Sequence, residues 1–204
     1  MAERADGRPA EPTTSRIDPD AWDPREASGG TWEAVHFASV DMREATIEAA
    51  SFGGCTFTDV KFNASTFTDV AFANCTFRGC SLFDVRLTRC KLVGSLFDGC
   101  TFELLAVDGG DWTLAGLPGA DLRRTSFRGV RLREADLTGA RLDGAVVRDV
   151  DLSGAWTHSA SFRGTDLRGS DIEAIDPRNS DLTDALIDPE QAMTVATALG
   201  MRIG

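Results

Sequence analysis

The chain has 204 residues, 32 of them acidic and 21 basic, for a formal net charge of -11. Such an acidic surface repels phosphate backbones, which argues against direct nucleic-acid binding and suits a partner whose own site is basic. No apolar run approaches the roughly 18 residues of a membrane span, so no membrane partner is expected and the cytoplasm is the expected location.

Residues 1–30, "MAERADGRPAEPTTSRIDPDAWDPREASGG", lack the apolar stretch of a secretory signal. Their Pro, Gly, Ser and mixed charges predict a disordered N-terminal tail.

From Trp32 onward a five-residue period takes over. "SFGGCTFTDVKFNASTFTDVAFANCTF" places Phe52, Phe57, Phe62, Phe67, Phe72 and Phe77 five apart. Neither a helix nor a half-buried strand uses that spacing. The same register runs through Leu82, Phe97, Trp112, Phe127, Leu142 and Phe162 to Ile187 without a slip, and only Thr157 and Pro177 are not large and apolar. A second column, two residues earlier, holds mostly small residues such as Cys55, Val60, Ser65 and Ala135. Gly often closes the unit, as at Gly129 and Gly139, where a turn needs unusual φ.

One backbone satisfies this pattern. If each unit forms a short side and turns about 90°, both columns point inward and four units close a square coil. Coils stacked at roughly 4.8 Å pair their backbone groups along the stack. The 32 units from Trp32 to Ile187 make about eight coils, a rod roughly 38 Å long. The expected class is therefore an all-β solenoid over residues 31–189. This pattern resembles the pentapeptide-repeat family, and the resemblance implies a right-handed quadrilateral parallel β-helix.

Within the repeat, Cys55, Cys75, Cys80, Cys90 and Cys100 all fall in the small inward column and read as structural thiols. His36 and His158 lie about six coils apart and share no metal or proton relay. No Ser/His/Asp set, zinc spacing or phosphate-binding glycine loop is present, so no enzyme, cofactor or metal site is expected. Phe83, Leu96, Leu104, Leu114, Val146 and Trp156 take outward places, with Leu104 and Leu114 marking a local bulge or contact patch.

After Ile187, "DPEQAMTVATALGMRIG" changes style. Asp188 suits an N-cap, Pro189 the first helical turn, and Gln191 completes a capping-box arrangement. Residues 190–204 are thus expected to form a helix and tail that cover the last coil, either as a monomer cap or as a two-fold dimer contact.

This end, with Pro177, Asp181, Asp188, Gln191 and Ala192, is similar to the gyrase-protecting branch of the family, the MfpA and Qnr types. That resemblance implies a homodimer through the C-terminal end, with Met193, Val195, Ala196, Leu199, Met201 and Ile203 at the interface. It also implies a rod that imitates DNA and occupies DNA gyrase or a related type II topoisomerase, inhibiting it or protecting it from quinolones and other toxins. Residues 31–189 carry 24 acids and 16 bases, and the acids crowd toward the C-terminal end. Asp151, Asp171, Glu173, Asp176, Asp181 and Asp184 are the expected contacts, as one acidic band. Insertion loops typical of the Qnr type are not seen, and Arg123, Arg124, Arg128, Arg131 and Arg133 make the middle coils less DNA-like. The competing reading is a structural or adaptor rod that binds another protein, since many family members have no known activity.

Overall fold

A computed structural model describes residues 12–24 and 27–203. The central residue of each five-residue unit points inward, and so does the small residue two places earlier. Phe37, Phe57, Trp112, Phe127 and Phe162 are among the largest side chains fully removed from solvent. The last place of nearly every unit sits in the left-handed region whether or not it is glycine: Gly129 and Gly139 adopt it, and so do Leu104, Leu114 and Arg124, but Ala174 and Asn179 do not. A bulky residue there costs about 1–2 kcal/mol, and the surrounding ladders hold it in place.

Four sides make four parallel ladders, each residue pairing with the one 20 places on. The first side runs through Thr31–Glu33, Ser51–Gly53 and Ala71–Ala73, then Lys91, Asp111, Arg131, Asp151 and Asp171. The second runs from Ser15–Ile17 through Val35–Ala38, Thr56–Thr58, Thr76–Arg78 and Leu96–Asp98, then Gly116, Asp136 and Trp156. The fourth runs from Thr46–Glu48 to Val146–Arg148, then Asp166 and Leu186. Each of these makes seven coil-to-coil steps. The result is a parallel β-solenoid of about seven turns with one short C-terminal helix.

The third ladder differs. It joins Asp41, Lys61, Ser81 and Thr101, then restarts as Asp121, Arg141, Ser161 and Asp181. Among the described residues, the backbone bonds that join Leu82 to Thr101 and Leu122 to Arg141 have no counterpart between Phe102 and Asp121. A cleft of about 560 Å³ opens there between Thr101–Glu103 and Asp121–Arg124, and the Arg124–Glu103 ion pair of 2.7 Å spans it. The coil above the break carries Trp112, whose indole stacks on Phe97 at 5.9 Å with planes 13° apart.

Aromatic rings stack along the axis at the repeat of the coils. Phe37, Phe57, Phe77 and Phe97 form one stack with centroids 4.9, 4.9 and 4.6 Å apart and planes within 8° of parallel. The small column has its own task. Cys55, Cys75, Cys80, Cys90 and Cys100 each donate a thiol hydrogen to the carbonyl 23 residues earlier, at 3.2–3.5 Å. Ser95, Thr165 and Ser170 do the same with hydroxyls. A buried carbonyl that the ladder leaves one-sided is thereby satisfied.

Two expectations need correction. Residues 1–11 of the expected tail lie outside the described residues, but much of the remainder belongs to the coil. Ile17, Trp22 and Ala27 continue the five-residue register below Trp32, and Ala27 is fully buried. Ser15–Ile17 pairs with Val35–Phe37, and the Trp22 indole meets Phe37 and Trp32 edge-on at 5.0 and 5.4 Å. Leu96, expected outward, is only 2% exposed. Gly116 stands above it in the next coil, and a Cβ there would meet Leu96 Cδ1 at 2.6 Å, so the leucine lies flat over the bare glycine.

Candidate partner-binding surface

The outward Asp one place before the central residue has a structural use. Asp136, Asp151, Asp171, Asp176 and Asp181 each accept, through Oδ1, the backbone N–H two residues on, at 2.9–3.1 Å. This closes the turn and fixes the carboxylate. One oxygen is spent on the turn; the other is taken by Asn179 Nδ2 at Asp176 and by Arg163 at Asp181.

The six expected contact acids do not share one face. Asp151, Asp171 and Glu173 lie on the first side, with Asp171 in register directly above Asp151. Asp176 lies on the second side; Asp181 and Asp184 lie on the third. They girdle the last two coils. Two of them are partly neutralised, since Arg133 stands 3.8 Å from Asp151 and Arg163 3.2 Å from Asp181. Among the described residues, Asp171, Glu173, Asp176 and Asp184 have no cation within ion-pair distance. Burial works against the Asp151 charge, but the Ser153 hydroxyl and N–H and the nearby arginines hold its carboxyl below the usual range. The Thr183 hydroxyl and N–H, with Arg163, do the same for Asp181. Asp166 goes furthest: Arg168 at 2.8 Å brings it down to about 2.

The middle coils carry arginines that are mostly cancelled. Arg123 pairs with Asp121 at 2.5 Å, Arg124 with Glu103, and Arg131 with Asp111 at 3.7 Å. Among the described residues, acids without an ion-pair partner remain toward both ends of the rod: Glu33, Glu44, Glu48 and Asp59 in the first coils, and Asp171, Glu173, Asp176 and Asp184 beyond the cleft of the third side.

That end is closed by a helix, Pro189–Ala198, whose Asp188 and Gln191 form a reciprocal capping box. Gln191 does more than cap. Its Nε2 donates to the carbonyls of Leu167 and Ser170, both at 2.7 Å, while its Oε1 accepts from Asp188 N–H at 2.8 Å. The side chain plugs the last coil, using its donors and acceptor where the ladder runs out of partners. Asp188 also accepts from Gly169 N–H and is held below the usual carboxylate range by its bonds to the Gln191 and Gly169 amides.

Of the expected interface residues, Val195 packs inward against the rod, and Ala196 is half-buried. Met193, Leu199, Met201 and Ile203 are exposed, and Leu186 joins them at the same end. Sequence reasoning missed Leu186 and the Gln191 plug. The first was legible as an outward leucine in the last unit; the second had no signal beyond the capping box.

The residues 30–107 and 50–137 match a family model described as a pentapeptide repeat region, which together spans more than half the chain. The chain is a pentapeptide-repeat protein. No curated protein matches it in sequence. Among solved structures, it is similar to a trypsin-treated form of QnrB1, a plasmid-mediated fluoroquinolone resistance protein, with 22% identity, a TM-score of 0.55, and coverage of 93% of this chain and 95% of that one. Full-length QnrB1 gives 22% identity, a TM-score of 0.49 and coverage of 93% and 99%. HetL, a pentapeptide-repeat protein involved in heterocyst differentiation regulation from the cyanobacterium Nostoc, gives 15%, 0.29, and coverage of 79% and 89%. The likeness to the trypsin-treated form bears on the fold alone. No helix among the described residues is long and apolar enough to cross a membrane.

Proposed function

We infer that this pentapeptide-repeat protein is a DNA mimic that binds DNA gyrase or a related type II topoisomerase through its C-terminal coils. Binding inhibits the enzyme, shields it from quinolones or related toxins, or does both. The observation that carries this reading is the girdle of Asp171, Glu173, Asp176 and Asp184, unpaired and next to an exposed apolar end. A two-fold contact through Met193, Leu199, Met201 and Ile203 joins two girdles into one continuous acidic segment. That segment meets a cationic DNA-binding saddle by the long-range attraction that DNA itself uses. The wrap over three sides suits a saddle better than a flat partner would. Similarity to QnrB1, a fluoroquinolone resistance protein, supports the choice of quinolones.

The test is supercoiling by purified gyrase, titrated with the full chain with and without a quinolone. Inhibition or drug protection at micromolar levels is expected. Neither effect at those levels rejects the topoisomerase reading. Asp171→Lys, Glu173→Lys and Asp184→Lys together should weaken the effect at least about tenfold, and retained potency sinks the girdle. Met193→Asp with Leu199→Asp should halve the mass seen by light scattering; an unchanged mass rules out the two-fold contact.

A further inference from the structure

Trp156 is the most exposed aromatic side chain among the described residues, at 51%. It occupies the outward place of the second side, where Asp136 lies in register one coil below. The coil above should cover it but does not. The bonds that Asp136 and Trp156 N–H make to the coil below have no counterpart at Asp176 among the described residues, and the chain slips by one residue, so that Ser159 N–H bonds Asn179 rather than Arg178. A groove of about 390 Å³ is left beside the indole, bounded by Thr138, His158, Asp176 and Asn179.

Two carboxylates without cations stand near the indole: Asp176 in the groove's lining, and Asp136 in register one coil below Trp156. Asp136 spends Oδ1 on Thr138 N–H at 2.9 Å. Asp176 accepts from Arg178 N–H at 2.9 Å and from Asn179 Nδ2 at 2.7 Å. Neither has a basic group within ion-pair distance among the described residues. Arg178, the nearest arginine in sequence, turns its guanidinium toward Gly200 at the chain's end. The floor beneath is low, because Gly116, Gly119 and Gly139 occupy the outward places of the neighbouring units.

We propose that Trp156, Asp136 and Asp176 form a receptor for an arginine side chain presented by a protein partner. An indole face attracts a cation placed over it, and tryptophan does so best. A guanidinium is flat and weakly hydrated, and it offers its edge to carboxylates while its face lies on the ring. Lysine presents a compact, strongly hydrated charge and fits less well. The site differs in kind from the girdle, because it adds a shaped contact that a DNA duplex does not offer. It stands whether or not the partner is a topoisomerase.

The experiment uses the full chain with ¹⁵N-labelled tryptophan, titrated with an acetyl-Gly-Arg-Gly-amide peptide and its lysine and citrulline counterparts. Trp156→Phe assigns the indole signal. A saturable shift confined to the Trp156 indole is expected, strongest with arginine and lost with citrulline. Asp136→Asn and Asp176→Asn should each weaken binding about threefold or more, with the Trp22, Trp32 and Trp112 signals unmoved as the control for folding. Equal binding of the citrulline peptide, shifts spread over all four indoles, or unchanged affinity in the double Asn variant overturns the proposal. In gyrase assays Trp156→Ala should lower potency several-fold. A protein that inhibits gyrase but ignores the arginine peptide overturns this site alone; the converse overturns only the topoisomerase reading.

Discussion

Gln191→Glu is the sharpest probe of how the rod ends. Gln191 is 6% exposed, and its amide makes two donor bonds of 2.7 Å to Leu167 and Ser170 carbonyls. Glutamate keeps the shape but turns both contacts into oxygen facing oxygen. Losing the two bonds and leaving two buried acceptors unsatisfied costs about 2–4 kcal/mol, and a carboxylate against carbonyls adds to that. Gln191→Ala should fall near the lower end, since it removes the bonds without adding charge. In a solenoid each coil touches only its neighbours, so the loss should stay local. Hydrogen exchange is the assay: amides of residues 186–200 should exchange much faster, while those of the Phe57 and Phe77 coils stay protected. Burial and the facing carbonyls raise the new carboxyl's pKa above its unfolded value, so protection should recover as pH falls and the group protonates. Wild-type protection of the glutamate variant at neutral pH would falsify the plug.

Other outcomes follow from the same geometry. Phe57→Ala should cost about 3–5 kcal/mol by chemical denaturation, because it removes the middle ring of a parallel stack, whereas Phe57→Leu should cost under half of that. The amides of Phe102 and Asp121 should exchange orders of magnitude faster than those of Leu82 and Leu122; equal protection would close the cleft of the third side. Cys100 sits beside that cleft and is the one thiol not fully buried. It should react first with a thiol reagent: contact with Cys80 lowers its pKa, whereas burial pushes Cys90 up to about 11. Asp166, depressed by Arg168, stabilises the fold above its unfolded pKa near 4 and loses that contribution as pH falls toward 2. Asp166→Asn should remove up to about 1 kcal/mol of acid dependence, solvent screening included, in acid titrations of stability.

The repeat was readable because a buried column at fixed spacing leaves no alternative backbone, and counting by twenty assigns every residue to a side. The same count separates the acids: Asp151 and Asp171 differ by twenty and share a side, whereas Asp176 and Asp181 each turn a corner. What escaped reading depended on exceptions to the column. Ile17, Trp22 and Ala27 keep the register, but Pro19, Pro24 and dense charge around them imitate a tail. Leu96 is covered because its neighbour one coil on happens to be Gly116. The broken rung on the third side, between Thr101 and Asp121, falls where the five-residue register runs on unchanged, so no single residue announces it.

The turn carboxylates carry one last consequence. Each accepts a backbone N–H through Oδ1, and asparagine supplies the same acceptor without the charge. Exchanging Asp for Asn at positions 136, 151 and 171, where only Oδ1 is used, therefore alters the surface potential while leaving the coil intact. Asp and Asn codons differ at a single base. A lineage can retune how strongly such a rod attracts a basic partner in small, separable steps, each available without first rebuilding the fold.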